Sequence, residues 1–425
     1  MVRSKTAVIL FLNSTSMLRI FLTALLLGGA GVLQAANLTV EAAVTQAVSR
    51  NPGLLAARWS VVEANGRLLQ AGRPANPEIE TELKPNVRGR EFTFSAGFMQ
   101  RFPLTNRLRL EKAVSRAEVD VAAAEVREAE RQLAAQVRTV AVNVLAVRAA
   151  QELKKAQTAQ NADMVKAAAK AAAAAEGSSL DAAQLELELH QGAIGLQQLE
   201  GEKAVLTAGL RPLLGMAPNE PLEIAGSLPP PAGGGEAGNG PNPQNRPDYQ
   251  AAQARGEAAR QNLELERKSR WQDPAFGVSA ELERAEDAPE GLRTEGFVGF
   301  KFSLPLPFWN KNEGRIEAAQ AASARADLEA AALASTIRAE AATARAEMTA
   351  AARIYDQAAN TLLPRARDLE VKLLELYQKA GPGADLATVM RARERRMGLE
   401  MARLNALRDY HLAKARLRSS LGGVR

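Results

Sequence analysis

The chain has 425 residues, 46% of them hydrophobic, with 54 Lys and Arg against 48 Asp and Glu and no cysteine. The absence of cysteine excludes disulfides, thiolate metal sites and a lipid-modified N-terminal cysteine. The formal charge of +6 argues little for a nucleic-acid partner, because the first 36 residues hold three basic groups and no acidic one, which leaves +3 (6 − 3) for the rest.

Those first residues place Arg3, Lys5 and Arg19 ahead of an apolar run from Ile20 to Leu33, which ends in small residues at Ala35 and Ala36. This is the pattern of a cleavable export signal, 1–36, so the remaining chain is expected to leave the cytoplasm. No later segment reads as apolar enough to cross a bilayer as a helix, and any attachment to a membrane must then come from folded surface.

Residues 37–228 read as one structural unit. Asn51-Pro52 opens a helix that Asn76-Pro77 closes. Two alternating segments follow, at about 78–84 and 91–102. In the first, Ile79 and Leu83 oppose Glu78, Glu80 and Glu82; in the second, Phe92, Phe94 and Phe98 oppose Glu91, Thr93 and Ser95. From Thr105 to Glu176 no proline interrupts a helical pattern, which at 1.5 Å per residue spans on the order of 100 Å. A tip near 177–180 reverses it. From Leu185 to Leu213 apolar residues then recur about every 3.5 positions, with Gly192 and Lys203 as exceptions, the mark of coiled-coil pairing.

A Pro/Gly-rich linker, 229–247, leads to a second unit, 248–425, that repeats the plan. Arg246-Pro247 opens a helix, Asp273-Pro274 closes it, and strands follow at about 275–283 and 293–304. Here Phe300 and Phe302 oppose Glu281, Glu283, Glu295 and Lys301. A second long hairpin turns near 380–384, at Gly381-Pro382-Gly383, and Pro364 within it predicts a kink or a break.

One face of each strand pair is greasy and the other acidic. A soluble sheet with one wet side would alternate in the same way. Strands near the 9 to 11 residues that a tilted membrane strand needs, in an exported chain, favour a transmembrane barrel. Phe92, Phe94, Phe98, Phe300 and Phe302 are then expected to face lipid, and Glu78, Glu80, Glu82, Glu281, Glu283, Glu295 and Lys301 the lumen. Four strands cannot seal themselves, since open edges are not tolerated in lipid. Two copies would give eight strands and three would give twelve, and strand counting alone does not choose between them. The fold class expected is an α+β membrane protein, a long antiparallel coiled-coil α-barrel with four β-strands per protomer added to a shared β-barrel. No nucleophile and base pair, phosphate loop or His/Cys cluster is visible, so neither enzyme activity nor a cofactor or metal site is expected.

In this order the motifs resemble the TolC-like outer membrane efflux family, and within it the CzcC-like heavy-metal branch. The resemblance rests on the Asn51-Pro52 and Arg246-Pro247 pair, the strand ends Phe102-Pro103-Leu104 and Leu304-Pro305-Leu306, the turn Gly177-Ser178-Ser179-Leu180-Asp181, the segment Leu213-Leu214-Gly215 and Tyr377 before Gly381. It implies a homotrimer with a 12-stranded barrel in the outer membrane lipid of a Gram-negative bacterium and a helical tunnel in the periplasm. It implies as partners a periplasmic adaptor (membrane fusion) protein and an inner-membrane, proton-driven RND pump, with no nucleic acid. The cargo it implies is divalent heavy-metal cations; drug efflux or type I secretion is the alternative, and a periplasmic coiled-coil adaptor is a more distant one. A gate at the hairpin tips is also implied, where Asp181, Gln184 and Glu188 follow the first turn and Asp385, Thr388 and Arg391 the second. Helix capping is the alternative role for Asp181 and Asp385, and Arg391 stands where an acidic or polar residue is common.

Overall fold

A computed structural model of the chain describes residues 36–87, 89–173, 179–231, 242–287, 289, 291–379 and 385–423. The expected export signal, the middle of the linker and most of both hairpin turns lie outside the described residues.

Strand β1 (Ala36–Leu38) leads into α1 (Val40–Arg50), whose first turn is capped by the Thr39 hydroxyl accepting from the Ala42 amide at 3.2 Å. Asn51 is the joint to α2 (Pro52–Gln70): its side-chain oxygen accepts from the Leu54 amide at 3.0 Å, and its amide group donates to the carbonyls of Pro212 and Leu213 at 3.3 and 3.1 Å. Pro52 suits the first helical turn, where its missing N–H leaves no carbonyl without a donor. Strands β2 (Glu78–Pro85) and β3 (Phe92–Arg101) follow, then α3 (Arg107–Ala173), 67 residues and about 100 Å long. The return helix α4 (Ser179–Leu213) ends at β4 (Leu222–Ile224), which pairs with β1 in parallel. The second part of the chain comprises α5 (Pro247–Ser269), β5 (Ala275–Asp287), β6 (Gly291–Ser303), α6 (Glu313–Asp356), α7 (Leu363–Gln378) and α8 (Leu386–Ser420).

One detail departs from expectation. A stretch within Arg107–Lys170 is apolar enough by length and composition to cross a membrane, although no segment beyond the leader was expected to be. Its alanines and valines serve helix packing instead: over half of that stretch is buried, and Ala134, Val137 and Ala141 are fully so. Pro364, where a kink or a break was expected, stands in the first turn of α7, where the α-helical path resumes after ending at Asp356. A π-helical turn, Gln357–Leu362, precedes it, and the wider turn accommodates a ring that cannot donate to the preceding turn.

The helices lie side by side because their contacts are built from small residues. The main core joins Ala43 of α1, Leu54 of α2, Val137 of α3 and Leu210 of α4. A second joins Ala341, Ala344 and Met348 of α6 to Tyr410 and Ala413 of α8. Near the sheet the lateral order is α2, α3, α5, α6; toward the hairpin ends it is α4, α3, α8, α7. One border of the protein is therefore α2 followed by α4, and the other is α6 followed by α7.

The larger sheet is antiparallel throughout, in the order β2-β3-β5-β6. Among the described residues β2 and β6 each have one unpaired edge, and the two do not pair with each other.

Candidate functional site

The pairing register sorts the side chains of the sheet onto two faces. Across the strands Ile79 stands beside Phe98, Val278 and Phe300, while Glu80 stands beside Gly97, Ser279 and Gly299. By this alternation Phe92, Phe94, Phe98, Phe300 and Phe302 share one face, and Glu78, Glu80, Glu82, Glu281, Glu283, Glu295 and Lys301 share the other. The apolar face is uncovered, with Phe300 86% exposed. Charges enter it only at the end far from the helices, at Arg284 and Glu286.

The acidic face also holds cations besides lysine. The same alternation puts Arg101 and Arg293 there too, so Lys84, Arg101, Arg293 and Lys301 stand among the carboxylates, which remain in excess. Arg101 pairs with Glu78 at 3.3 Å and Lys84 with Glu82 at 2.9 Å. Lys301 reaches from β6 to Glu80 on β2 at 3.6 Å, crossing two strands that carry Gly97, Met99, Gly277 and Ser279 on this face. Side chains of the two outermost strands meet on this face, as they do where a sheet curls toward its concave side. Where the sheet joins the helices, Arg107 binds Asp273 at 2.7 Å beside a cavity of about 610 Å³ that Arg101, Trp271 and Arg315 also line.

At the hairpin ends, Asp385 caps α8, accepting from the Thr388 amide at 2.9 Å and from its hydroxyl. These bonds hold its carboxyl below the usual carboxylate range. Arg391 donates to the Thr388 hydroxyl and to the Ala387 carbonyl, each at 3.2 Å, so Asp385, Thr388 and Arg391 form one bonded group. Asp181 stands in the first turn of α4 and Gln184 is exposed on the same helix. Glu188 is half-buried, and burial pushes its carboxyl up against the pull of Arg393. Leu185 packs with Leu386 and Met390 of α8, which brings the two helix starts together. Among the described residues no hydrogen bond or ion pair joins the Asp181, Gln184 and Glu188 set to the Asp385, Thr388 and Arg391 set.

A neighbouring charge network was not foreseen. Arg393, 5% exposed, donates to Gln160 at 3.2 Å and contacts the Met164 sulfur, and burial lowers its proton affinity. Arg396 binds Glu370 and Glu400, and Arg367 reaches Glu400 at 3.2 Å. The basic run from Arg391 to Arg396 is visible in the sequence, but which member lies inside is decided by packing of α3, α7 and α8.

No protein-family model matches the sequence, and no curated protein matches it. The fold is shared with solved structures. CusC, described in terms of folding and transmembrane channel formation, superposes with a TM-score of 0.76 at 16% identity over 92% of this chain and 93% of that one. VceC, an outer membrane protein of Vibrio cholerae, gives 0.71 at 18% identity over 90% and 96%. The MtrE outer membrane channel of Neisseria gonorrhoeae in its open state gives 0.69 at 16% identity over 93% of each. The mostly helical architecture with a smaller share of sheet is thus the fold of known outer-membrane channel proteins.

Proposed function

We propose that the chain is one protomer of a homotrimeric outer-membrane duct, the exit channel of a tripartite proton-driven efflux system, with no catalytic chemistry of its own. The observation that carries this reading is an open-edged sheet with phenylalanines on one face and carboxylates on the other, joined to helices about 100 Å long. Three copies would supply twelve strands, lipid would cover the phenylalanine face, and the helices would cross the periplasm to an adaptor and an inner-membrane RND pump. Residues 37–228 and 248–425 are read as two copies of one unit, each giving a helix, two strands and a long helical hairpin. Asp181, Gln184, Glu188, Asp385, Thr388 and Arg391 would ring the periplasmic mouth.

The cargo proposed is divalent heavy-metal cations. An excess of carboxylates on this face gives a negative lumen, which concentrates cations and repels anions. Drug efflux is the rival within channels, and growth on zinc, cobalt, cadmium or nickel salts after gene deletion separates the two. Conductance in planar bilayers tests the duct itself: a reversal potential favouring cations is expected, and replacing Glu80, Glu82, Glu281 and Glu283 by Gln should abolish the preference. Anion preference in the unmodified channel would refute the lumen assignment. A periplasmic adaptor without an anchor would instead wash off membranes in carbonate.

A further inference from the structure

Helix α8 packs against α3 on one side and α7 on the other, and residues of all three line a cavity of about 460 Å³. Val389 and Arg393 of α8 are its buried part, 3 and 5% exposed. Its rim is open to solvent: Val371 and Leu374 of α7 are 55 and 37% exposed. With Met164 of α3 these residues make most of the wall apolar.

Three arginines reach this cavity, and carboxylates answer two of them. Arg396 binds Glu370 and Glu400, and Arg367 binds Glu400. Arg393, the most deeply buried, forms no ion pair among the described residues, and its Nε has no acceptor. Glu370 and Glu188 attract it without bonding to it. Its terminal nitrogens donate once each, Nη1 to the Met164 sulfur and Nη2 to Gln160 at 3.2 Å. Each of these nitrogens carries two N–H groups, so each keeps one to spare. A buried charge without a bonded counter-charge is costly, and an anion in the cavity would offset that cost.

The walls select the anion. One unanswered guanidinium calls for one negative charge, and a flat carboxylate can take two N–H groups at once. Glu370, in the same cavity, and Asp163, also lining it, oppose a dianion such as phosphate. Val371, Leu374 and Val389 offer hydrocarbon to hydrocarbon.

We propose that this cavity binds a small monocarboxylate with an apolar body, its carboxylate on the spare N–H groups of Arg393 and its hydrocarbon against Val371, Leu374 and Val389. Every wall comes from one chain, so the site stands apart from the duct reading and its failure leaves that reading untouched. Hexanoate is the probe, titrated by calorimetry into the full chain in mild detergent against a blank of empty micelles. Hexanoate should bind, whereas hexanol, hexylamine and acetate, which lack the charge, reverse it or lack the chain, should each bind at least about tenfold more weakly. Arg393→Met should weaken hexanoate binding by about tenfold or more. Should that variant fail to fold, Val371→Asp sets a carboxylate at the exposed rim in the path of the ligand's own and should weaken binding likewise, with an unchanged Tm. Hexanoate that does not bind the unmodified protein, including where a neighbouring copy fills the cavity, overturns the proposal. So does hexanoate that binds no better than hexanol or acetate, or whose affinity is unchanged in either folded variant.

Discussion

Gly215 sits directly against the carbonyl of Arg50: its φ is +66°, and a methyl group added to it would meet that oxygen at 2.5 Å. Gly422 stands in the same relation to the carbonyl of Asn245, at φ +85°. In both places the end of a long returning helix closes onto the breaker that opens its half of the chain. Left-handed backbone and lack of space act together there. Gly215→Ala and Gly422→Ala should each destabilise the detergent-solubilised protein by about 2 kcal/mol or more, seen as a lower Tm. Gly66→Ala, inside α2 with nothing within 4 Å, should be neutral or stabilising by up to about 1 kcal/mol.

Arg246 opens the second half and is buried, bonded to Asp248 and to Glu340. Burial pushes the Asp248 carboxyl up, but the bond and charge of Arg246 outweigh it and hold the group below its ordinary value. Arg246→Met leaves Asp248 without its counter-charge, at a cost of about 3 kcal/mol in chemical denaturation. Arg255→Ala, which removes an exposed pair with Glu125, should cost less than about 1 kcal/mol.

Acid should loosen the junction of α1 with α3. The Arg138 guanidinium beside Glu41, helped by Arg418, lowers the Glu41 carboxyl below its ordinary value. A depressed carboxyl contributes stability in full above its unfolded pKa and loses it as pH falls through the folded one. Stability should therefore decline below about pH 4, and Glu41→Gln should flatten that part of the profile by about 1 kcal/mol or less, since Glu41 is half exposed. An unchanged acid limb in the variant contradicts the assignment.

The two faces of the sheet should respond oppositely to charge. Phe300→Arg, on the apolar face, should cost about 2–4 kcal/mol and reduce the protein recovered in the membrane fraction. Ser279→Arg, on the acidic face of the adjacent strand, should leave that recovery unchanged. Equal losses from both would place neither face in lipid.

Much of the fold was legible because its determinants are local. Alternation from Phe92 to Phe98 gives the strand, and the spacing from Leu185 to Leu213 gives the seam: Leu185, Gly192 and Leu210 are buried, whereas Leu187, Ile194 and Val205 are exposed. Arg101 and Arg293 were legible by the same alternation and were overlooked. Pro364 marked the interruption of the α-helix, but a proline states only which backbone bond is lost, and the π-turn that accommodates the loss was not legible. The apolar stretch of α3 was misjudged because alanine serves lipid exposure and close helix contact alike. Arg393 was invisible because its burial depends on three helices that meet only in the folded chain.

The mass of the protein extracted from membranes in mild detergent, measured by native mass spectrometry, tests the central claim most directly. The account predicts an assembly of three chains that detergent must keep in solution. A monodisperse single chain, soluble in water with its phenylalanine face uncovered, would contradict it.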